Sequence, residues 1–394
     1  MTLATNFDRI IDRCGSHCSK WDMMEPIFGV KPEGGIAMWV ADMDFLPPPA
    51  VQRAVEKMAA HGIYGYFGDD RPYLEAIRWW MAERHGWAID PSWVFTTHGL
   101  VNGTSMCIDA FTRPGDGVVL MTPVYHAFAR VIKASDRQVV ECRLKNQDGR
   151  YLMDFAAWDA QMTGAEKMLI LCSPHNPGGR VWTAEELRGV ADFCKRHDLI
   201  LVSDEIHHDL VYPGQKHRVL ATVAPDIADR LVTMSATTKT FNIAGCHSGN
   251  VIIADERLRK LFGQRMMALG ISPNSFGMHM ATAAYSPEGA EWVDQLMRYL
   301  DGNRRIFDEG IAAIPGLASM PLEATYLAWV DFTRTGMPPA EFISRVEKGA
   351  RIAANHGDSF GAGGENFLRF NIATQRSRVA EAVARLQEAF ADLQ

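Results

Sequence analysis

The sequence predicts an α/β protein with two domains, a large one built on a mostly parallel sheet between helices and a smaller α+β one. The chain has 394 residues, of which 47% are hydrophobic, enough for a large core and more than one domain usually needs. Apolar, strand-like runs alternate with helical segments, which is the pattern of a parallel sheet covered on both faces. After Ser286-Pro-Glu-Gly this alternation stops and a long helical segment begins.

The helices of the large domain have recognisable ends. Residues 50–61 and 72–85 are each followed by a glycine, Gly62 and Gly86, which can adopt the left-handed conformation that ends a helix. Thr183-Ala-Glu-Glu186 has the spacing of a capping box and predicts a helix that runs to about residue 197.

The strands are predicted from short apolar runs. In the large domain these runs are residues 118–121, 168–172, 199–203, 231–235 and 250–254. Beyond residue 286 we predict a long helix, a strand over 326–332, a helix near 340–348 and a strand over 367–372. The second group mixes helix and strand without the regular alternation, which is typical of a small α+β domain.

Composition and charge exclude several classes of protein. The net charge is -7 and no run of like charges occurs, so we expect no nucleic-acid partner and no anionic membrane surface. The first nine residues lack the charged start and apolar core of a secretion signal, and no apolar stretch approaches the ~20 residues that span a bilayer. A cytoplasmic location is the resulting expectation.

The seven cysteines are an odd number and are scattered, which favours free thiols in a reducing compartment. Cys14-Gly-Ser-His17-Cys18 is the one cluster with metal-ligand chemistry, but no second Cys/His pair follows at zinc-site spacing. We therefore expect no metal.

Three polar side chains follow three of the predicted strands. Lys239, Asp204 and Asn176 each come at or shortly after the end of an apolar run. Ligands of open parallel sheets bind beyond the carboxyl ends of the strands, so these three side chains are expected to meet in one crevice. Most lysines are solvated surface charges, and Lys239 alone would be weak evidence for catalysis.

Together the three residue types suit pyridoxal 5'-phosphate. A lysine amine can bind the aldehyde covalently, and an acid such as Asp204 keeps the pyridine nitrogen protonated so that the ring accepts electrons. Asn176 could donate to the phenolate oxygen, and His207 could reach the same ring edge. Residues 95–105 supply a strand, a glycine and a helix start, where free amides at Gly99, Leu100 and Val101 could hold the phosphate. A strand-to-helix turn of this kind is more often only a turn.

Several motifs in order resemble the fold-type I pyridoxal-phosphate enzymes, and among them the MalY/PatB group of carbon-sulfur β-lyases. The resemblance extends from about residue 12 to residue 374. The motifs are Trp39-Val-Ala-Asp-Met-Asp-Phe45, Gly62-Ile-Tyr-Gly-Tyr66, Pro123-Val-Tyr-His126, Ser173-Pro-His-Asn-Pro177, Asp204-Glu-Ile-His-His-Asp-Leu-Val-Tyr-Pro213 and the loop around Lys239.

The resemblance implies an aspartate-aminotransferase-like fold. Residues 48–286 would form the large cofactor domain, and residues 1–47 would join residues 287–394 in the small domain. It also implies a homodimer, because Tyr64 matches a residue that reaches from one subunit into the phosphate site of the other.

Further site roles also follow from the resemblance. Tyr125 would stack on the cofactor ring, although a plain core tyrosine is the alternative. Thr238 would donate a hydroxyl to the phosphate, and Tyr66 would belong to the substrate gate. The remaining substrate contacts would be Val40, Ala41 and Asn176.

Arg369 interrupts an apolar strand, so burying it unpaired would be costly and it should meet an anion. By resemblance this anion is the α-carboxylate of the substrate, which a guanidinium grips with two parallel hydrogen bonds. An internal salt bridge is the alternative. One departure concerns the phosphate: related aminotransferases carry an arginine eight residues after the lysine, whereas position 247 is histidine. The roles of Cys246 and His247 stay open.

The predicted chemistry begins with Lys239 removing the α-proton of an amino acid. Loss of a thiolate from the β-carbon would then give pyruvate and ammonia, whereas protonation of the cofactor would give transamination. The resemblance favours the lyase acting on a sulfur-containing amino acid, with an aminotransferase as the alternative. Trp39, Met43, Phe45 and Tyr66 suit a sulfur substrate, although such residues are more often core. A regulatory, non-catalytic protein is a third hypothesis, which loss of Lys239 or Asp204 would have favoured.

Overall fold

The computed structural model describes residues 5–272 and 274–393. Residues 1–4 and 394, which belong to the predicted small domain, lie outside the described residues. Residues 1–4 are also the start of the segment that lacks the sequence pattern of a secretion signal. In the described part of the chain, no helix is long and apolar enough to cross a membrane.

The strands are short. In chain order they are β1 (Ile36–Ala37), β2 (Val94–Thr97), β3 (Gly117–Leu120), β4 (Gln138–Glu141), β5 (Lys145–Gln147), β6 (Arg150–Leu152), β7 (Glu166–Cys172), β8 (Ile200–Asp204), β9 (Leu231–Ser235), β10 (Gly249–Ile252), β11 (Ala318–Ser319), β12 (Leu327–Asp331), β13 (Ile352–Ala353), β14 (Asn355–His356) and β15 (Phe367–Asn371).

The α-helices alternate with the strands through the first two thirds of the chain. They are α1 (Ser19–Asp22), α2 (Met24–Phe28), α3 (Pro49–His61), α4 (Arg71–His85), α5 (Leu100–Phe111), α6 (His126–Ala134), α7 (Phe155–Gln161), α8 (Ala184–Arg196), α9 (Leu220–Val223), α10 (Thr237–Thr240), α11 (Glu256–Ala268), α12 (Ser275–Ala284), α13 (Pro287–Ala312), α14 (Pro339–Ser344) and α15 (Arg376–Ala389).

A seven-stranded sheet forms the centre of the molecule, with the order β2-β10-β9-β8-β7-β3-β4. Strands β3, β4, β7, β8 and β9 run parallel, whereas β10 is antiparallel to both of its neighbours. The prediction of a mostly parallel sheet between helices is confirmed. The reversal at β10 was not predicted, because its apolar run is compatible with either direction.

Both faces of this sheet are covered, so its central strands are mostly apolar rather than alternating. Val118 and Leu120 of β3 belong to one buried cluster with residues of α5, α6 and α11, whereas Val119 belongs to a second cluster on the other face with residues of α8. This is the expected pattern for parallel strands buried between two helical layers.

The predicted ends of the elements agree with the structure to within one or two residues in the large domain. Gly62 and Gly86 follow α3 and α4 with φ values of 72° and 64°. Thr183 and Glu186 make both hydrogen bonds of the capping box at the start of α8. In the second half of the chain, the predicted helix over 340–348 is divided: α14 ends at Ser344 and a π-helical turn, Arg345–Gly349, continues it.

The C-terminal part contains a four-stranded antiparallel sheet, β11-β12-β15-β14, packed with α13 and α15. Strand β1 pairs in parallel with β13, which joins the N-terminal segment to this part of the molecule. These contacts agree with residues 1–47 and 287–394 forming one small domain beside residues 48–286, and this division remains our proposal.

Candidate active site

Three neighbouring parallel strands end on one side of a cavity of about 560 Å³. Strand β8 ends at Asp204, β7 is followed by the turn that carries Asn176, and β9 is followed by the short helix α10 that carries Lys239. All three side chains line the cavity, as the sequence predicted. The other predicted site residues on its wall are Ala41, Gly99, Leu100, Val101, Tyr125, His207 and Thr238.

Lys239 is held by the backbone of the N-terminal segment. Its Nζ donates to the carbonyl oxygen of Ala41 at 2.6 Å, and the hydroxyl of Tyr326 donates to the same oxygen at 3.0 Å. Burial lowers the pKa of Lys239 to about 8, against the opposing effect of Asp42. About a tenth of the amine is therefore neutral at about pH 7, and the neutral form is the one that acts as a nucleophile or base.

Asp204 is almost fully buried, with an exposed fraction of 5%. The backbone N–H of Ile206 donates to its Oδ1 at 3.1 Å, and burial raises the pKa of the carboxyl to about 7. His207, close by on the same loop, has a buried Nδ1 without a hydrogen-bond partner among the described residues. This part of the cavity therefore contains a carboxyl group that a protonated ring nitrogen would stabilise in its charged form.

The N-terminus of α5 forms another wall of the cavity. Gly99 precedes the helix with φ 83°, a backbone conformation that favours glycine. Strand β10 packs closely behind this turn at Gly249, where a Cβ would come within 2.6 Å of the Leu100 side chain. Free amides and the helix dipole together favour an anion here.

Arg369, on β15, is buried and meets no acid among the described residues. Its guanidinium donates to the side-chain oxygens of Asn176 and Asn355 and to the carbonyl oxygen of Trp39. Its Nε has no partner, and burial lowers the pKa of Arg369 to about 10. The internal salt bridge considered as an alternative is therefore not found, and the charge is left for a bound anion.

These features fit pyridoxal phosphate. Lys239 supplies a partly neutral amine, Asp204 a buried carboxyl with a raised pKa, and the start of α5 an anion site. Tyr125 lines the cavity and also packs against a core cluster, and its stacking on the cofactor ring stays a prediction.

Some predicted residues lie elsewhere in the single chain. Tyr64 and Tyr66 lie between α3 and α4 with exposed fractions of 60% and 104%, and neither lines the cavity of its own chain. Val40 lines a neighbouring cavity that shares Ala41 and Lys239 with the first. Met43 and Phe45 also line this second cavity, although both side chains are mostly buried in the core.

His247 and Cys246, to which the sequence assigns no role, lie in different surroundings. His247, in the left-handed conformation with φ 45°, lines both cavities. The Sγ of Cys246 instead lies 3.1 Å from the sulfur of Met280, away from the cavity lining. All seven cysteines are free.

Sequence reasoning missed a buried network around Asp209. Its carboxylate accepts hydrogen bonds from Trp80 Nε1 at 3.0 Å and from Thr240 Oγ1 at 2.9 Å. The Nε2 atoms of His85 and His208 lie 2.9 and 3.0 Å from its two oxygens. The network joins the segment that follows Asp204 to Thr240, the residue after Lys239. Its sequence signal is an acid five residues after Asp204, which spacing alone does not connect to Lys239.

The fold and the site together define a pyridoxal-phosphate-dependent enzyme of fold type I, as predicted. The family model for aminotransferases of class I and II matches residues 36–386, and the chain belongs to this family.

Similar proteins cover the chain from end to end. Cystathionine beta-lyase PatB of Bacillus subtilis is 36% identical, over 98% of this chain and 99% of PatB. The crystal structure of cystalysin from Treponema denticola, which contains pyridoxal 5'-phosphate, has a TM-score of 0.95 and 34% identity and covers 100% of both chains. The pyridoxal-phosphate-bound C-S lyase of Staphylococcus hominis has a TM-score of 0.89 and 29% identity, with 98% of each chain covered.

Proposed function

We propose that this protein is a pyridoxal-phosphate-dependent carbon-sulfur β-lyase. It cleaves the bond between the β-carbon and sulfur of an L-cysteine derivative, and the net reaction consumes one water and releases a thiol, pyruvate and ammonia. The observation that carries the choice of a lyase is the end-to-end similarity to PatB, a cystathionine beta-lyase, at 36% identity. The prediction of a lyase rather than an aminotransferase thus agrees with the relatives.

Pyridoxal phosphate, when bound, supplies the electron sink for the carbanion that forms at the α-carbon. In our proposal Lys239 holds the aldehyde, and its Nζ takes the α-proton after the substrate has replaced it. The pKa of about 8 matches this role, because a base is most effective when its pKa lies near the working pH. Asp204 would sit against the ring nitrogen and keep it protonated.

The remaining polar groups orient the two ligands. The amides of Gly99, Leu100 and Val101 and the hydroxyl of Thr238 would hold the phosphate. Asn176 and His207 would contact the ring edge, and Tyr125 its face.

Arg369 would bind the α-carboxylate of the substrate. Its position is fixed by Asn176, Asn355 and the Trp39 carbonyl, so the guanidinium loses little freedom on binding. With the carboxylate anchored there, the α-carbon faces the cavity wall that carries Lys239. Val40 and Ala41 close the substrate site from the N-terminal segment, and Tyr66 belongs to its entrance.

The active form is proposed to be a homodimer in the cytoplasm. Tyr64 is exposed and does not reach the cavity of its own chain, which supports its contacting the phosphate in a partner subunit. Ile63 and Tyr66 beside it are also strongly exposed, as expected for a surface that a second subunit covers.

The test is to mix the purified holoenzyme with L-cystathionine or L-cysteine and to measure pyruvate. Catalytic pyruvate formation without a keto-acid acceptor supports the lyase. Turnover that needs an acceptor and accumulates the pyridoxamine form, followed by its absorbance, would make the protein an aminotransferase. Lys239→Ala is the control for a reaction that depends on the lysine.

A further inference from the structure

Arg130 lies on the wall of the active-site cavity and has no role in the chemistry proposed above. It belongs to α6, one turn after His126, and is an exposed residue. Among the residues that the structure describes, its guanidinium makes no hydrogen bond and no ion pair. A cation in this position is free to bind an anion that enters the cavity.

The surroundings of Arg130 favour a negative ligand. Asp204 is the one acid among the described residues that line the cavity, and it is reserved for the cofactor ring. Lys239 lines the same cavity, and Arg369 lies behind Asn176. Once the α-carboxylate occupies Arg369, Arg130 is a remaining positive charge without a counter-ion.

A series of contacts connects Arg369, the proposed anchor of the α-carboxylate, to the helix that carries Arg130. The Arg369 guanidinium lies 5.0 Å from the ring of Phe360, and this ring lies 5.6 Å from that of His126. Partial desolvation and the charges of Arg369 and Arg130 lower the pKa of His126, so this imidazole is neutral near neutral pH and has both cations as neighbours. His126 therefore neighbours both Arg369 and Arg130, which lies one helical turn further along α6.

We infer that Arg130 is a specificity-determining residue that selects L-cysteine derivatives whose leaving thiol carries a carboxylate. The inference rests on the proposed function. In such a substrate the carboxylate lies two or three bonds beyond sulfur. We place this carboxylate beyond the β-carbon, on the side of the cavity where Arg130 lies. The contact is a charge-assisted hydrogen bond at the mouth of the cavity, so its effect is on selection between substrates rather than on bond cleavage.

The experiment compares two substrates that differ only in charge. S-(2-carboxyethyl)-L-cysteine carries a distal acid, and its distal amide has nearly the same shape. The ratio of their kcat/KM values, measured as pyruvate release by the holoenzyme, isolates the distal charge. We expect Arg130→Met to lower this acid-to-amide ratio roughly tenfold, the effect of one partly solvated charge-assisted bond, and Arg130→Lys to retain most of it.

Lys133 provides the matched control. It lies on the same helix, is exposed and does not line the cavity, so Lys133→Met removes the same charge elsewhere. This variant should leave the ratio unchanged. An unchanged ratio in Arg130→Met, or an equal loss with both substrates, would overturn the inference. The inference would also be overturned if Arg130→Met bound pyridoxal phosphate more weakly relative to pyridoxal, because the anion that Arg130 binds would then be the cofactor phosphate.

A separate binding measurement keeps this test independent of the lyase reaction. L-2-Aminopimelate and its distal amide replace sulfur by a methylene and cannot release a thiol. Calorimetric dissociation constants for this pair should show the same dependence on Arg130. If the wild type forms no pyruvate from either sulfur substrate, the proposed lyase function fails, while the calorimetric ratio still decides whether Arg130 recognises a distal carboxylate.

Discussion

Replacing Asp204 by asparagine should stabilise the cofactor-free protein, and more so at high pH. Burial raises the pKa of this carboxyl to about 7 from an ordinary value of 3.8. The unfolded chain therefore ionises first, and the Asp204 contribution to stability is lost as pH rises between these two values. Asparagine removes the ionisation and leaves the shape nearly unchanged.

The size of the effect follows from the two pKa values. Each unit of pKa difference is worth about 1.4 kcal/mol, so the ionised carboxylate costs about 4 kcal/mol at about pH 8 and about 1.5 kcal/mol at about pH 5. The advantage of Asp204→Asn should thus grow by about 2.5 kcal/mol over this range. Titrating groups remote from Asp204 are shared by the two proteins and cancel in the comparison, whereas Lys239, whose pKa Asp204 raises, adds a smaller difference.

Urea unfolding of the two cofactor-free proteins at both pH values measures this difference. An advantage that does not grow with pH would refute the assignment of a raised pKa to Asp204. Added pyridoxal phosphate should reverse the order, because a protonated ring nitrogen stabilises the carboxylate but not the amide. Equal stabilisation of both proteins by the cofactor would contradict the proposed contact.

Three further predictions concern other parts of the site. Arg369→Met should raise KM for an amino-acid substrate by about 100-fold, with a smaller change in kcat, because two charge-assisted hydrogen bonds are lost and water replaces them only in part. Steady-state kinetics with L-cystathionine measures both parameters. Asp209→Asn should lower the free energy of unfolding by about 3 kcal/mol, because three hydrogen-bonded groups and the nearby His208 lose a buried anion. Denaturant titration measures this change, and a loss under about 1 kcal/mol would contradict it. The Tyr64→Ala and Lys239→Ala variants should each be inactive alone and regain activity when refolded together, because one site of a mixed dimer then has both Lys239 and the partner's Tyr64. No recovery of activity would argue against sites shared between subunits.

The large domain could be predicted closely from sequence because its signals are local. Buried parallel strands are short apolar runs, and Thr183 and Glu186 make the capping box that their spacing indicates. The reversed strand β10 could not be predicted, since a run such as Gly249–Ile252 is equally apolar in either direction.

The site was predictable where its residues follow strands, and less so where distant segments meet. Lys239, Asp204 and Asn176 share a cavity because three neighbouring strands end there. The contact of Lys239 with the Ala41 carbonyl spans 198 positions of sequence, and no local pattern indicates it. The charge on Arg130 gave no signal either, because a lone arginine on a helix is usually solvated.

The pairing of β1 with β13 affects the order in which this enzyme can fold during translation. Ile36 pairs with Ile352, and the side chain of Asn371 holds the carbonyls of Val40 and Asp42. At ordinary translation rates the N-terminal segment waits roughly 15 to 60 seconds for these partners to be synthesised. We therefore expect the contact between the Lys239 amine and the Ala41 carbonyl to become fixed only after residues 352 and 371 have been synthesised.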